Sequence, residues 1–382
     1  ILLVGSLTQT ASATVAELFD PATNTFTTLS SATLSRGRHT TTLLPNGKVL
    51  IVGSTHGGVA YTQAELYDPF ANTFFTLSSA TLSRARHTAT LLPNGKILIS
   101  GSIQDGTPST QSELFDPATN TFSTLSSANL TRRSVGATLL PNGKVLLLGT
   151  SGSGTARTQA ELFDPITNTF STLSNSNLSR FSHTFTPLPN GKILIIGSSW
   201  ANAVSHTQAE IFDSMTNTFS TLSTAHLSRD DHTATILPNG KILIVGSSTA
   251  ANNTLAEFFN PSTMTFSTLA NTTLNRDHQT ATLLPSGKVL FVGSGITGTP
   301  MTQAELFSID QEVSSNQISD QRYPDVKVDS SGISYYAWGA QEGLSKSIMG
   351  QSLASTASGT PTTRWPATST GTWVTTGSMS TV

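Results

Sequence analysis

Apolar and polar positions along this chain fall into a unit that returns again and again. In HTATLLPNGKILISGS (87–102) two apolar runs flank a Pro-Asn-Gly-Lys tetrapeptide. The Asn-Gly pair, with its preference for positive φ, predicts a tight type I′ hairpin between two strands. TQSELFDPATNTFSTLS (110–126) adds two more β-rich runs around Asp-Pro-Ala-Thr-Asn. Proline at a fixed φ and Asp/Asn side chains that bond their own backbone make that segment a turn. One unit is thus a four-stranded antiparallel sheet, and no helical period competes with it.

The repeat is regular. Its proline falls at Pro45, Pro93, Pro141, Pro189, Pro238 and Pro285, so copies are 47 to 49 residues apart. A strand-three glutamate recurs at Glu17, Glu65, Glu113, Glu161, Glu210, Glu257 and Glu305. Such a period signals a propeller or solenoid. Four short strands cannot bury their own two faces, whereas radial stacking buries both. Runs such as KILIVG (241–246), apolar on both sides, suit a strand held between two neighbouring blades. The expected fold is all-β: a seven-bladed propeller of four-stranded antiparallel blades, with an insertion in the last blade.

The pattern HTATLLPNGK[IV]L[IL]xGS, followed by AEL[FY]DPxTNTF, resembles the kelch repeats of the galactose oxidase central-domain type over residues 1–308. It departs from them in Gly-Ser (Gly53-Ser54, Gly101-Ser102) where Gly-Gly normally closes strand two, and in Phe where Trp is common on strand four. The resemblance implies the propeller. It does not carry the radical copper site, which requires a Tyr crosslinked to a Cys with further Tyr and His ligands. The chain has no Cys, and Tyr61, Tyr67, Tyr323, Tyr335 and Tyr336 stand at no recognisable ligand spacing to histidine. Copper oxidase chemistry is therefore not expected.

The opening ILLVGS aligns with strand two, and residues 371–382 with strand four and its following loop, Trp373 standing where Phe74 stands. This predicts a ring closed by a blade that joins both ends, the segment equivalent to Arg84–Lys96 coming from a longer chain or from a neighbouring subunit. Organisation is expected as blades over 1–308, a non-repeat insertion or small β-subdomain over 309–369, and a closing strand over 370–382. Within the insertion, 325–338 reads as a hairpin with a Ser-Gly turn.

Composition narrows the partners. Charged residues make up 11% of the 382 residues, and the net charge is −2. Without Lys/Arg clusters there is no basis for nucleic-acid binding. No apolar stretch is long enough for a membrane helix. The Ser/Thr-rich, Lys-poor surface resembles that of secreted proteins and leads to an extracellular or cell-surface expectation.

Arginine recurs nine residues before the repeat proline at Arg36, Arg84, Arg132, Arg180, Arg229 and Arg276, with His39, His87, His183 and His232 three residues later in four units. A ring of Arg and His could hold an anion. The equally regular glutamate argues instead for structural Arg–Glu pairs between blades, with Glu65, Glu113, Glu161, Glu210, Glu257 and Glu305 as partners. Histidine loss in two units counts against a shared metal site. Variable segments lie in the loops between strands two and three, on the face opposite the near-identical turns, and binding is expected there. His56, Asp105, Trp200 and Asn202 are candidates, with Tyr335, Tyr336 and Trp338 in the aromatic insertion. No catalytic residue, metal or cofactor is expected. The function read from the sequence is a non-catalytic extracellular propeller that binds a protein or glycan or joins a cell-surface assembly. Alternatives are a subunit of an extracellular polymer and the non-catalytic part of a carbohydrate-active enzyme.

Overall fold

A computed structural model describes residues 1–4, 16–29, 39–53, 55–56, 59–60, 62–78, 80–103, 109–132, 135–149, 158–178, 180, 183–197, 207–222, 229, 231–247, 254–274, 279–293, 303–309, 325–328, 333–337, 348–352 and 371–378. Seven antiparallel sheets form the blades of a propeller. Blade I has three strands, Leu2–Val4, Ala16–Asp20 and Thr25–Thr28. Blade II comprises Thr40–Leu43, Val49–Val52, Ala64–Asp68 and Thr73–Thr76. Blade III comprises Arg84–Leu91, Ile97–Ile103, Ser112–Asp116 and Thr121–Thr124. Blade IV comprises Gly136–Leu139, Val145–Leu148, Ala160–Asp164 and Thr169–Thr172. Blade V comprises Thr184–Pro187, Lys192–Ile196, Glu210–Asp213 and Thr218–Thr221. Blade VI comprises Thr233–Ile236, Ile242–Val245, Ala256–Asn260 and Thr265–Thr268. Blade VII takes Thr280–Leu283, Val289–Val292, Gln303–Ile309 and, from far along the chain, Gly371–Ser378.

Seven apolar clusters correspond to seven seams, because each blade buries one face against each neighbour. Leu50 and Val52 of blade II meet Ile97, Ile99 and Phe115 of blade III, while Ile51 and Tyr67 turn the other way onto Ala16 and Leu29 of blade I. This is why second strands are apolar on both sides: successive side chains point to opposite faces, and both faces are interior. Phe19, Phe26 and Leu3 of blade I pack against Leu290, Val292 and Leu306 of blade VII, so the circle closes through a seam between two blades and not, as expected from the sequence, through one blade that holds both ends: Leu2–Val4 belongs to blade I and Gly371–Ser378 to blade VII. Third and fourth strands are joined by tilted ring pairs, Phe115 with Phe122 and Phe163 with Phe170 at 4.9 Å between centroids. In blade VII, Phe307 is in register with Trp373, the relation that Tyr67 has to Phe74.

The Pro-Asn-Gly turn differs in type from the sequence expectation. Leu44 N–H donates to Lys48 O, and Gly47 N–H to Leu44 O, so three residues rather than two make the loop. Among the described turns of this kind only the glycine is left-handed (Gly47 φ 81°, Gly95 φ 80°). Proline at the second position favours a type I turn, and the glycine then supplies the left-handed bulge residue. Asn46 Oδ1 is taken by Lys48 N–H at 3.1 Å. The second turn behaves as expected: Asp116 Oδ1 accepts from Ala118 N–H, and Asn120 adopts φ 56°.

Between Ile309 and Gly371 the chain forms a separate three-stranded antiparallel sheet, Asp325–Val328, Ile333–Ala337 and Ile348–Ser352. Its first two strands make the expected hairpin, Val328 pairing with Ser334.

Candidate functional site

Antiparallel order puts the Pro-Asn-Gly and Asp-Pro turns on one face of the ring. The loops between strands two and three and the connectors between blades emerge on the other. The loop face has a built foundation. Arg84, Arg132, Arg180 and Arg229 are at most 1% exposed, and each is paired with a carboxylate that is fully buried: Glu113, Glu161, Glu210 and Glu257. Arg132 Nη2 and Arg180 Nη2 each lie 2.8 Å from glutamate Oε2.

The pairs correct the sequence expectation in one respect: they lie within blades, not between them. Arg84 opens the first strand of blade III and Glu113 sits on the third strand of the same sheet. The physical reason is visible in the remaining bonds. Arg84 Nη1 donates to Gly101 O at 2.7 Å and Gln111 O at 3.0 Å, the two stems of its own blade's loop. Arg132 does the same to Gly149 and Gln159, Arg180 to Gly197 and Gln208, and Arg229 to Gly246 and Leu255. The other glutamate oxygen, Oε1, accepts the connector N–H of Thr81 at Glu113, Asn129 at Glu161 and Asn177 at Glu210. One ion pair thus staples both loop stems and the inter-blade connector to the third strand. Burial lowers the pKa of the four guanidinium groups and the paired carboxylates oppose that shift; Arg132 and Arg180 engage Nε, Nη1 and Nη2, whereas the buried Nη2 of Arg84 and of Arg229 has no hydrogen-bond partner. Glu65 and Glu305 are buried in the same way, Glu305 accepting from Thr273 N–H, while Arg36 and Arg276 lie outside the described residues.

Histidine, not arginine, crosses the seams. His87 Nε2 lies 2.8 Å from Thr40 Oγ1 of the preceding blade, and His232 Nε2 lies 3.0 Å from Thr184 Oγ1. Gln279 takes the equivalent place in blade VII, its Nε2 donating to Thr233 Oγ1 and Val245 O. In blade IV the His-Thr dipeptide is replaced by Val135-Gly136. His183 consequently has no hydroxyl to meet, and Phe185 fills the space over Gly136. The sequence signal for this arrangement is the threonine that follows each repeat histidine, Thr40, Thr88, Thr184 and Thr233.

Of the residues singled out for binding, His56 lies in a two-residue strand, Thr55–His56, paired with Val59–Ala60 inside the blade II loop. Tyr335 and Tyr336 stand on the central strand of the inserted sheet, in register with Lys327 and Val326 on one side and with Gly350 and Met349 on the other. Asp105, Trp200, Asn202 and Trp338 lie outside the described residues. Among the described residues no three His, Cys, Asp or Glu side chains gather as a metal site, and no helix is long and apolar enough to cross a membrane.

No family model matches the chain, and no curated protein matches it by sequence. Solved structures do. The fold resembles that of an enzyme. A fungal alcohol oxidase of the AA5 family, determined in complex with copper, superposes with a TM-score of 0.62 at 18% identity. The match covers 75% of this chain and 64% of the oxidase, so the chain spans less than two thirds of that protein's length. The likeness is one of fold, a β-propeller shared with an oxidase, and it does not single out the kelch repeat. It overturns the sequence-based reading of the chain as not an enzyme: this propeller shape is one on which an oxidase is built, and enzymatic activity is open. Copper does not fit the described residues. His87 and His232 face threonines in separate seams, and no cysteine is present to modify a tyrosine.

Proposed function

We propose that this chain is an extracellular recognition propeller whose loop face binds an uncharged, hydroxyl-rich ligand, a glycan in the first place. The observation that carries the reading is the contrast between the two faces. Turns on one face repeat almost unchanged and in blades II to V pair their charges within the blade, as Lys96 does with Asp116 and Lys144 with Asp164 at 3.0 Å. On the other face the loops differ in every blade, while buried Arg–Glu staples hold their stems. Rigid stems under divergent loops are the general arrangement of a binding surface.

Chemistry of the loops favours a neutral ligand. The seven segments 6–15, 54–63, 102–111, 150–159, 198–208, 247–255 and 294–303 contain only Asp105 and Arg157 as fully charged residues, and are otherwise rich in Ser, Thr, Asn and Gly. Hydroxyl and amide groups exchange hydrogen bonds with sugar hydroxyls, and Trp200 offers a stacking surface. The inserted sheet with Tyr335 and Tyr336 is a second contact in this proposal. A glycan array probed with the purified chain is the test, with hydrogen peroxide release recorded on the same sugars because the fold is shared with an oxidase. Binding of a defined sugar class that drops about tenfold on Trp200→Ala supports the reading, a loss of about 1.4 kcal/mol for one aromatic anchor. Binding to none of the sugars, or binding untouched by substitutions in all seven loops, refutes it.

A further inference from the structure

Three of the apolar seams also carry a buried histidine with no counter-charge of its own. We propose that the inter-blade seams at His87, His183 and His232 are acid-sensitive latches that weaken when these imidazoles take up protons. The proposal does not depend on what the loop face binds.

Each latch is a close-fitting contact. The His87 ring covers Gly53 of the preceding blade, where a Cβ would stand 2.7 Å from Cε1, and the His232 ring covers Gly197, where it would stand 2.4 Å from Cε1. Only about 5 to 6% of either residue is exposed, and both nitrogens of His183 are sealed from solvent. No Nδ1 of the three has a hydrogen-bond partner, so none has an acceptor to receive a second proton. The charges that surround them are unfavourable to a cation. His87 faces Arg84 and His39, His183 faces Arg180 and Arg132, and His232 faces Arg229, His183 and Arg180. The carboxylates at hand, Glu113, Glu161, Glu210 and Glu257, are already engaged by those arginines. Burial first, and the neighbouring positive charges second, push all three imidazoles down to about 3 from the ordinary 6.5.

The sign follows from linkage. Between pH 6.5 and about 3 the unfolded chain binds protons at these positions and the folded ring does not, so stability falls as pH falls through that window. Exposed turn carboxylates such as Asp68 and Asp116 have lowered values below 3.8, so their contribution is lost only in stronger acid. The molecule also contains its own non-titrating version of the latch: Gln279 bonds Thr233 across the seam between blades VI and VII.

Replacing His87, His183 and His232 by glutamine copies that version. The measurement is the proton uptake on unfolding, taken from the pH dependence of denaturant-induced unfolding around pH 5. The natural chain is expected to take up about three protons more than the triple variant, and the single variant His232→Gln to take up about one fewer than the natural chain. Hydrogen exchange at pH 5 should show the first strands of blades II to VI opening ahead of the fourth strands. Equal proton uptake by the natural chain and either variant overturns the proposal. The single variant decides the matter even where the triple variant does not fold.

Discussion

At the scale of the residue, the staple arginines concentrate the most risk. Arg180 is fully buried, bonded to Glu210 through Nε and Nη2 and to two carbonyls through Nη1. Removing one member of a buried pair leaves the other charge without compensation, which costs about 3–5 kcal/mol. Arg180→Ala is therefore expected to lower the unfolding free energy by about that amount in urea or guanidinium titrations, whereas exchanging the pair together, Arg180→Met with Glu210→Leu, should recover a large part of it. Gly53 is a second such point. Its φ is 74°, and a Cβ would lie 2.4 Å from Arg84 O, a backbone atom of the next blade. Gly53→Ala combines left-handed strain of about 1–2 kcal/mol with a clash that cannot relax cheaply, and the loss of stability should exceed about 2 kcal/mol. The sequence showed the arginines, the glutamates and their equal spacing. It did not show which sheet each partner belonged to, because a repeat has the same phase within a blade as between blades. Only the distances to Gly101 and Gln111 separate the two cases.

At the scale of the element, the strand pattern was legible almost in full, since alternating burial and turn chemistry are local properties. The turn type differs from the sequence expectation because Asn-Gly alone speaks for a two-residue loop, and the preceding proline shifts it to three. The candidate binding residues were least legible: segments that vary between blades have no register by which a repeat can place them. One coupling between elements crosses blades IV and V. Where other blades pair threonine with alanine, Gly136 faces Phe185, and a Cβ on Gly136 would stand 2.5 Å from the Phe185 ring and 2.6 Å from His183 Nε2. Gly136→Thr is expected to destabilise strongly alone. With Phe185→Ala beside it, the restored hydroxyl can meet His183 as Thr40 meets His87. A double-mutant cycle by denaturant unfolding should return a favourable coupling of at least about 1 kcal/mol, within the range for residues in contact. Strict additivity would mean the two substitutions are unrelated.

At the scale of the whole molecule, acid should act in two steps of different origin. The first, between pH 6.5 and about 3, belongs to the seams. The second belongs to the turn face. The Lys48 ammonium lowers Asp68 and the Lys96 ammonium lowers Asp116; turn N–H groups lead in lowering Asp164 and Asp213. Carboxylates with lowered values contribute stability above their ordinary 3.8 and lose it as pH falls below that value. Salt should blunt the second step, because these exposed pairs are screened. It should leave the first nearly unchanged, because the imidazoles are sealed. Thermal unfolding followed between about pH 3 and 8 at low and high ionic strength separates the two. Around the turn face the Pro45 ring sits against Gly95, Pro93 against Gly143, Pro141 against Gly191 and Pro238 against Gly287. At these four seams the repeated unit thus supplies both halves of one joint, a proline for the neighbour ahead and a glycine for the neighbour behind; between blades V and VI a Cβ on Gly240 would meet nothing within 4 Å. A gene segment encoding such a unit can be copied in tandem, and every copy meets the next as its parent did. Nothing in that joint counts the copies, so the number of blades is left to the curvature of the ring.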